Sequence, residues 1–253
     1  MVLTASLTPV LFRREKLTDR PTLLFLHMFA GSSLAWAPVV QHLPGLQCLT
    51  PDLRGFGAAV PSDPGTTLSD WADEAAGLAA PLGRFVLVGH SMGGKIATLL
   101  ASRRPAGLAG LVLVAPSPPT PEPIPDRAAM LSGFRDPAAA ARTAREISAH
   151  HADPVVMQRI VEDNLRTSHP AWTWWVERGS REDISGVAAA VGTPVLVVGA
   201  ADDANIPPAL LRREVVARIP GATLTTLPDS RHMVPLDAPG PLAQVIGDWL
   251  GGV

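Results

Sequence analysis

Gly89-His90-Ser91-Met92-Gly93 fits G-x-S-x-G, a pattern in which a serine hydroxyl is presented for nucleophilic attack. The apolar run 85–88 before it is too short for a helix and suits a buried strand; Ile96, Ala97, Leu99 and Leu100 after it recur at helical spacing. Ser91 is therefore expected on a strand-to-helix turn, where the flanking glycines leave room for a strained backbone. The helix N-terminus behind the turn favours developing negative charge. The pattern alone would also describe a plain tight turn; strand and helix around it point to a nucleophile. A hydroxyl is a weak nucleophile at neutral pH and needs a base. Of the seven histidines, His232 is the candidate, because it follows the turn formers Pro228-Asp229-Ser230 and precedes the last helical stretch. The alternative is a loop histidine without a chemical role. His27 and His90 are expected to be structural or to line the pocket. The adjacent His150 and His151 have no HxxxH or CxxC spacing beside them, so no metal site is expected.

Positioning such groups takes a scaffold, and 253 residues suffice for one α/β domain with a large core. The net charge is −2, from 21 Lys+Arg against 23 Asp+Glu, with no basic block. Nucleic acid and anionic membrane are thus not expected as partners. Cys48 is the single cysteine and lies in an apolar run, which reads as a buried, inert thiol. The start lacks a basic segment followed by an apolar one, and no apolar run approaches the ~20 residues that span a bilayer. A soluble, cytoplasmic protein is the expectation.

Strands are predicted over 22–27, 47–50, 85–88, 110–115, 194–198 and Thr223–Leu227, most of them on apolar runs, and a short strand or hairpin over 2–12. Helices are predicted over 33–43, 68–82, 208–218 and 239–250, the second with Ser69 and Asp70 offering capping oxygens. This alternation predicts an α/β fold with a mostly parallel central sheet and helices on both faces. The rhythm breaks at 116–125, where six prolines enforce extended chain. Helical stretches over 137–150, 155–167 and 170–178 follow with no strand between them, and Met157, Ile160, Val161 and Leu165 form an apolar stripe. The segment 116–184 reads as a small helical lid inserted after the sixth strand, the core being 1–115 and 185–253. Trp172 and Trp175 lie three apart and can face one side, with Trp174 turned elsewhere. At least one of Trp172 and Trp175 is expected to line an apolar acyl pocket; the blander alternative is that they fasten the lid to the body.

Five pieces, in order, carry a resemblance. They are Leu26-His27-x-x-x-Gly31-Ser32-Ser33, Asp52-Leu53-Arg54-Gly55-Phe56-Gly57, Gly89-His90-Ser91-Met92-Gly93-Gly94, the Asp202-Asp203 turn, and Arg231-His232-x-x-x-Leu236-Asp237-Ala238-Pro239. Over nearly its whole length the chain resembles the α/β-hydrolase superfamily, and within it the small bacterial esterase-like members with a helical cap. The resemblance implies a serine hydrolase that cleaves a small carboxylic ester through an acyl-enzyme, with no cofactor. It places the base at His232 and the acid in the turn after 195–198, where Asp202 and Asp203 compete. Spacing from Gly199 selects Asp202, whereas spacing from Pro194 and back from Pro207 selects Asp203, which two anchors against one favour.

An oxyanion needs two preorganised donors. One is expected to be the N–H of Met92, the residue after the nucleophile. The resemblance points to Phe29 for the other. Met28 stands where glycine usually follows the histidine, and its Cβ restricts the backbone if that site wants positive φ; otherwise it is expected to project towards the substrate. Rival readings keep the scaffold and change the chemistry: a C–C bond hydrolase or lyase on the same triad, or a non-catalytic ligand-binding protein.

Overall fold

Six strands pair side by side in the order β2-β1-β3-β4-β5-β6, every pair parallel. They are β1 (Thr22–Leu26), β2 (Cys48–Leu49), β3 (Phe85–His90), β4 (Leu108–Val114), β5 (Val195–Ala200) and β6 (Thr223–Leu227). This computed structural model describes residues 20–60, 67–149 and 153–252. The strand or hairpin read into 2–12 and the pair His150 and His151 lie outside the described residues. The segment read as a lid was expected after the sixth strand; among the described residues it follows the fourth, β4.

The first helices are α1 (Ala37–Gln41), α2 (Leu68–Ala79), α3 (Met92–Ser102) and α4 (Arg127–Ser132). Then come α5 (Pro137–Ile147), α6 (Pro154–Arg166), α7 (His169–Glu177) and α8 (Ser185–Ala188). The last are α9 (Pro208–Leu211), α10 (Val234–Asp237) and α11 (Pro239–Leu250). Successive strand side chains point to opposite faces, and the core divides accordingly. Leu24, Leu26, Leu87, Leu113 and Val197 pack with Trp71 of α2 and Ile96 of α3. Leu23, Phe25, Val88, Val114 and Val198 pack with Val39 of α1 and Ile246 of α11. Both faces are covered, which is why the strands read as continuous apolar runs rather than alternating ones.

Several elements differ locally from expectation. The stretch 33–43 is a 3₁₀ turn, Ser33–Trp36, that runs into α1 because Pro38 begins a new helix there. The stretch 208–218 is α9 continued by a π-turn over Arg212–Val216. The cap of α2 is Thr67, not Ser69. Asp70 sits at the third helical position and accepts from the Thr67 N–H at 2.8 Å, closing a capping box. Ser69 instead accepts from Arg103 Nη2 at 2.7 Å. Between β4 and β5 the proline-rich stretch is irregular, and α4, absent from the sequence reading, precedes the three expected helices. Among the described residues no helix is long and apolar enough to cross a membrane.

Strand order reverses between β1 and β3, since the chain builds outward to β2 on one side and to β4 on the other. Ligands of open α/β sheets bind beyond the strand ends at such a switch point. Ser91 follows the last residue of β3 there, beside the loop that leaves β1.

Candidate active site

Ser91 caps α3 with φ 52° and ψ −118°, a conformation that strains a residue with a Cβ. The surroundings hold it there. Its N–H donates to Val114 O at 3.1 Å, and its carbonyl accepts from Gly94, Lys95 and Ser117. Close approach explains the glycines: a Cβ on Gly93 would run into the carbonyls of Leu26 and His27, and one on Gly89 into the backbone of Gly93. The elbow therefore sits directly against the end of β1.

The loop after β1 is fixed by two side chains from the sequence motifs. His27, fully buried, donates from Nδ1 to Met28 O at 2.7 Å and accepts from the Leu53 N–H at Nε2, 3.0 Å. Burial lowers its pKa, so it is a neutral strut. Asp52 accepts from the N–H groups of Ser33 at 2.6 Å and Ala58 at 2.8 Å. Gly57, at φ 52°, leaves room for that carboxylate, which a Cβ would strike. In this loop Met28 is not at positive φ; Ala30 is, at φ 54°. The strain expected of Met28 is absent. Among the described residues neither the Phe29 N–H nor the Met92 N–H is taken by a protein acceptor.

His232, in the loop between β6 and α10, brings Nε2 to 3.0 Å from Ser91 Oγ. Its Nδ1 lies 2.8 Å from Asp203 Oδ2. The other Asp203 oxygen accepts from the N–H groups of Asn205 at 2.8 Å and Ile206 at 2.9 Å. Asp203 is buried, while Asp202 is exposed and uses its own N–H on Ser230 O at 3.0 Å. Burial alone would raise the Asp203 pKa, but the His232 charge, its hydrogen bond and the two N–H donors outweigh it and hold the carboxyl below its usual range. Burial likewise opposes charge on His232, yet Asp203 prevails and raises that pKa.

Ser91 and His232 open on a cavity of about 410 Å³. Met28, Phe29, Trp172 and Trp175 line it. Trp174 turns away and stacks on Trp71 of α2, ring centres 3.8 Å apart. Among the wall residues that the sequence does not single out is Asn164 of α6, buried and lining the same cavity. It lies four residues beyond Ile160 on the face of the apolar stripe, but a single polar residue there gives no sign of facing a cavity. Cys48 is half-buried on β2, and burial pushes its thiol up to about 12. Among the described residues no cluster of His, Cys, Asp or Glu could hold a metal ion.

Residues 23–245 match the model of the Alpha/beta hydrolase family. A Pimeloyl-[acyl-carrier protein] methyl ester esterase of Aromatoleum aromaticum is 31% identical over 258 residues, covering 92% of this chain and 100% of the relative. Lipase LipV of Mycobacterium tuberculosis is 30% identical over 254 residues, covering 90% of this chain and 92% of its own. Among solved structures, the enol-lactonase from Burkholderia xenovorans superposes with a TM-score of 0.81 at 23% identity, covering 94% of each chain, a likeness of fold. The chain belongs to the Alpha/beta hydrolase family.

Proposed function

We propose that this hydrolase cleaves small carboxylic esters, with Ser91 as nucleophile, His232 as base and Asp203 as the acid that orients it. The observation that carries the reading is the 3.0 Å approach of His232 Nε2 to a strained serine on the wall of a cavity. His232 takes the Ser91 proton as Oγ attacks the ester carbon. The carbonyl oxygen gains the negative charge and is met by the N–H groups of Phe29 and Met92. The tetrahedral species collapses to an acyl-serine, and the alcohol leaves with the proton from His232. Water, deprotonated by His232, then releases the acid and restores Ser91. Asp203 holds the imidazole with Nδ1–H towards itself and favours the transient imidazolium.

Residues 116–184 act as the cap in this reading, with Trp172 and Trp175 against the acyl chain and Met28 beside the donor loop. A cavity of about 410 Å³ suits a small-molecule ester. The two relatives, a methyl ester esterase and a lipase, support the same substrate class. The test is a chain-length series of p-nitrophenyl esters, run beside labelling by a serine-reactive fluorophosphonate. Turnover and labelling should both vanish in Ser91→Ala. Absence of turnover for every ester by the unaltered protein would overturn the reading.

A further inference from the structure

We infer that Asn164 is a polar subsite for a hydroxyl group carried by the substrate, an inference that rests on the ester-cleaving reading and refines its substrate class. Asn164 is only 7% exposed, and its Oδ1 is buried with no hydrogen-bond partner. Among the described residues its Nδ2 has no protein partner either. A buried amide oxygen left unpaired inside a protein costs free energy, and surrounding groups normally satisfy it. None of the polar residues on the cavity wall hydrogen-bonds Asn164 Oδ1, and Met28, Ile147 and Ile160 on the same wall belong to one apolar cluster.

The amide is held in place rather than adrift. Its neighbour Asp163 accepts from Ser32 Oγ at 2.6 Å, tying α6 to the loop after β1. One turn on, the Ser168 N–H donates to Gly55 O at 2.9 Å. These ties fix the rotation of α6, so Asn164 faces the space shared with Ser91 and His232. A group that meets an amide offering both a donor and an acceptor should itself do both, and a hydroxyl does. A purely hydrocarbon ester would leave the amide unpaired; a hydroxylated one would satisfy it while Ser91 is acylated.

The experiment compares methyl hexanoate with its 3-hydroxy and 6-hydroxy derivatives, reading the ratio of kcat/KM for the hydroxylated ester to that for its parent. Using a ratio cancels general losses of activity or folded protein. In Asn164→Leu the ratio for at least one hydroxylated ester should fall about tenfold, the size of one neutral hydrogen bond and its unpaired remainder. Ratios unchanged in Asn164→Leu and in the smaller Asn164→Ala would overturn the inference. A fall produced by Glu122→Gln, whose buried Oε2 is also unpartnered on this wall, but not by the Asn164 variants would overturn it as well. Calorimetric binding of the same esters to Ser91→Ala, with and without Asn164→Leu, separates the two levels. If the unaltered protein hydrolyses no ester, the esterase reading falls. The binding ratio then still decides the role of Asn164: a preference for the hydroxylated ester that Asn164→Leu removes upholds it, and one that survives refutes it.

Discussion

The ring of His90 donates from Nε2 to the backbone carbonyl of His232 at 2.8 Å. His90 ends β3, one residue before Ser91, so the strand that carries the serine also tethers the loop that carries the histidine. Burial pushes the His90 pKa down to about 3. It therefore stays neutral across the range in which His232 titrates, with its proton on the nitrogen that faces the carbonyl. Trp36 packs edge-on against the same ring, centres 6.1 Å apart.

His90→Phe keeps an aromatic ring against Trp36 and removes the donor. The His232 carbonyl then loses its partner in a buried site, worth on the order of 1–3 kcal/mol. We expect kcat to fall about tenfold with KM little changed, since the loss reaches the substrate only through the placement of His232. Steady-state kinetics with one p-nitrophenyl ester checks this, and a variant that loses melting temperature but keeps kcat would refute it.

The pH profile follows from the pair Asp203 and His232. In the proposed mechanism His232 must be neutral to accept a proton, so kcat/KM should fall as pH drops through its pKa. Asp203 raises that pKa above the ordinary histidine value, which places the acid limb above about 6.5. Asp203→Asn should move the limb down and lower kcat by ~10³ to 10⁴-fold, because the amide favours the wrong tautomer. Asp202→Asn should cost little. A larger loss from Asp202→Asn than from Asp203→Asn would transfer the role.

Much of this was legible in the chain because parallel, doubly covered strands such as β3, β4 and β5 appear as nearly unbroken apolar runs, whereas the edge strand β6, Thr-Leu-Thr-Thr-Leu, is mixed and partly exposed. The adjacency of Ser91 and His232, 141 residues apart, followed from motifs whose order and loop chemistry were readable. Asp203 was separated from Asp202 only by the spacing to Pro194 and Pro207; the structure adds the Asn205 and Ile206 N–H groups that bind its second oxygen. Other features stayed hidden for physical reasons. The cap of α2 moved to Thr67 because capping depends on where the helix starts, which propensity blurs by a residue or two. Asn164 looked like one polar residue on an amphipathic helix, and only tertiary packing turns that face inward. The backbone at Met28 was equally unreadable, since the positive φ falls two residues later, on Ala30.

The three tryptophans of α7 should separate by function. Trp174 is stacked on Trp71 away from the cavity, so Trp174→Ala should destabilise the protein by about 3–5 kcal/mol and leave acyl preference unchanged. Trp172 and Trp175 line the cavity, with Phe29 at ring distances of 5.0 and 6.1 Å. Truncating either to Ala should shift the preferred p-nitrophenyl ester towards longer acyl chains. Thermal melts and a chain-length series on all three variants make the comparison. Variants of Trp172 and Trp175 that lose stability alone would mean that both merely fasten α7 to the body.

Met28→Gly distinguishes two consequences of a side chain beside the donor loop. Were the Cβ distorting the loop, glycine would relax it and raise kcat for every ester alike. Met28 is not at positive φ, and its carbonyl already accepts from His27 Nδ1 at 2.7 Å and the Gly31 N–H at 3.2 Å. The backbone is thus held without strain that glycine could relieve. The side chain instead packs with Ile147, Ile160 and Met233 while lining the cavity. Removing it should enlarge the acyl side of the cavity and favour bulkier esters, at a stability cost of about 2–5 kcal/mol for a buried methionine truncated this far. We therefore expect kcat/KM to rise for branched acyl groups relative to acetate while absolute kcat on acetate falls or holds. A uniform rise in kcat across the series would show that the loop was distorted after all.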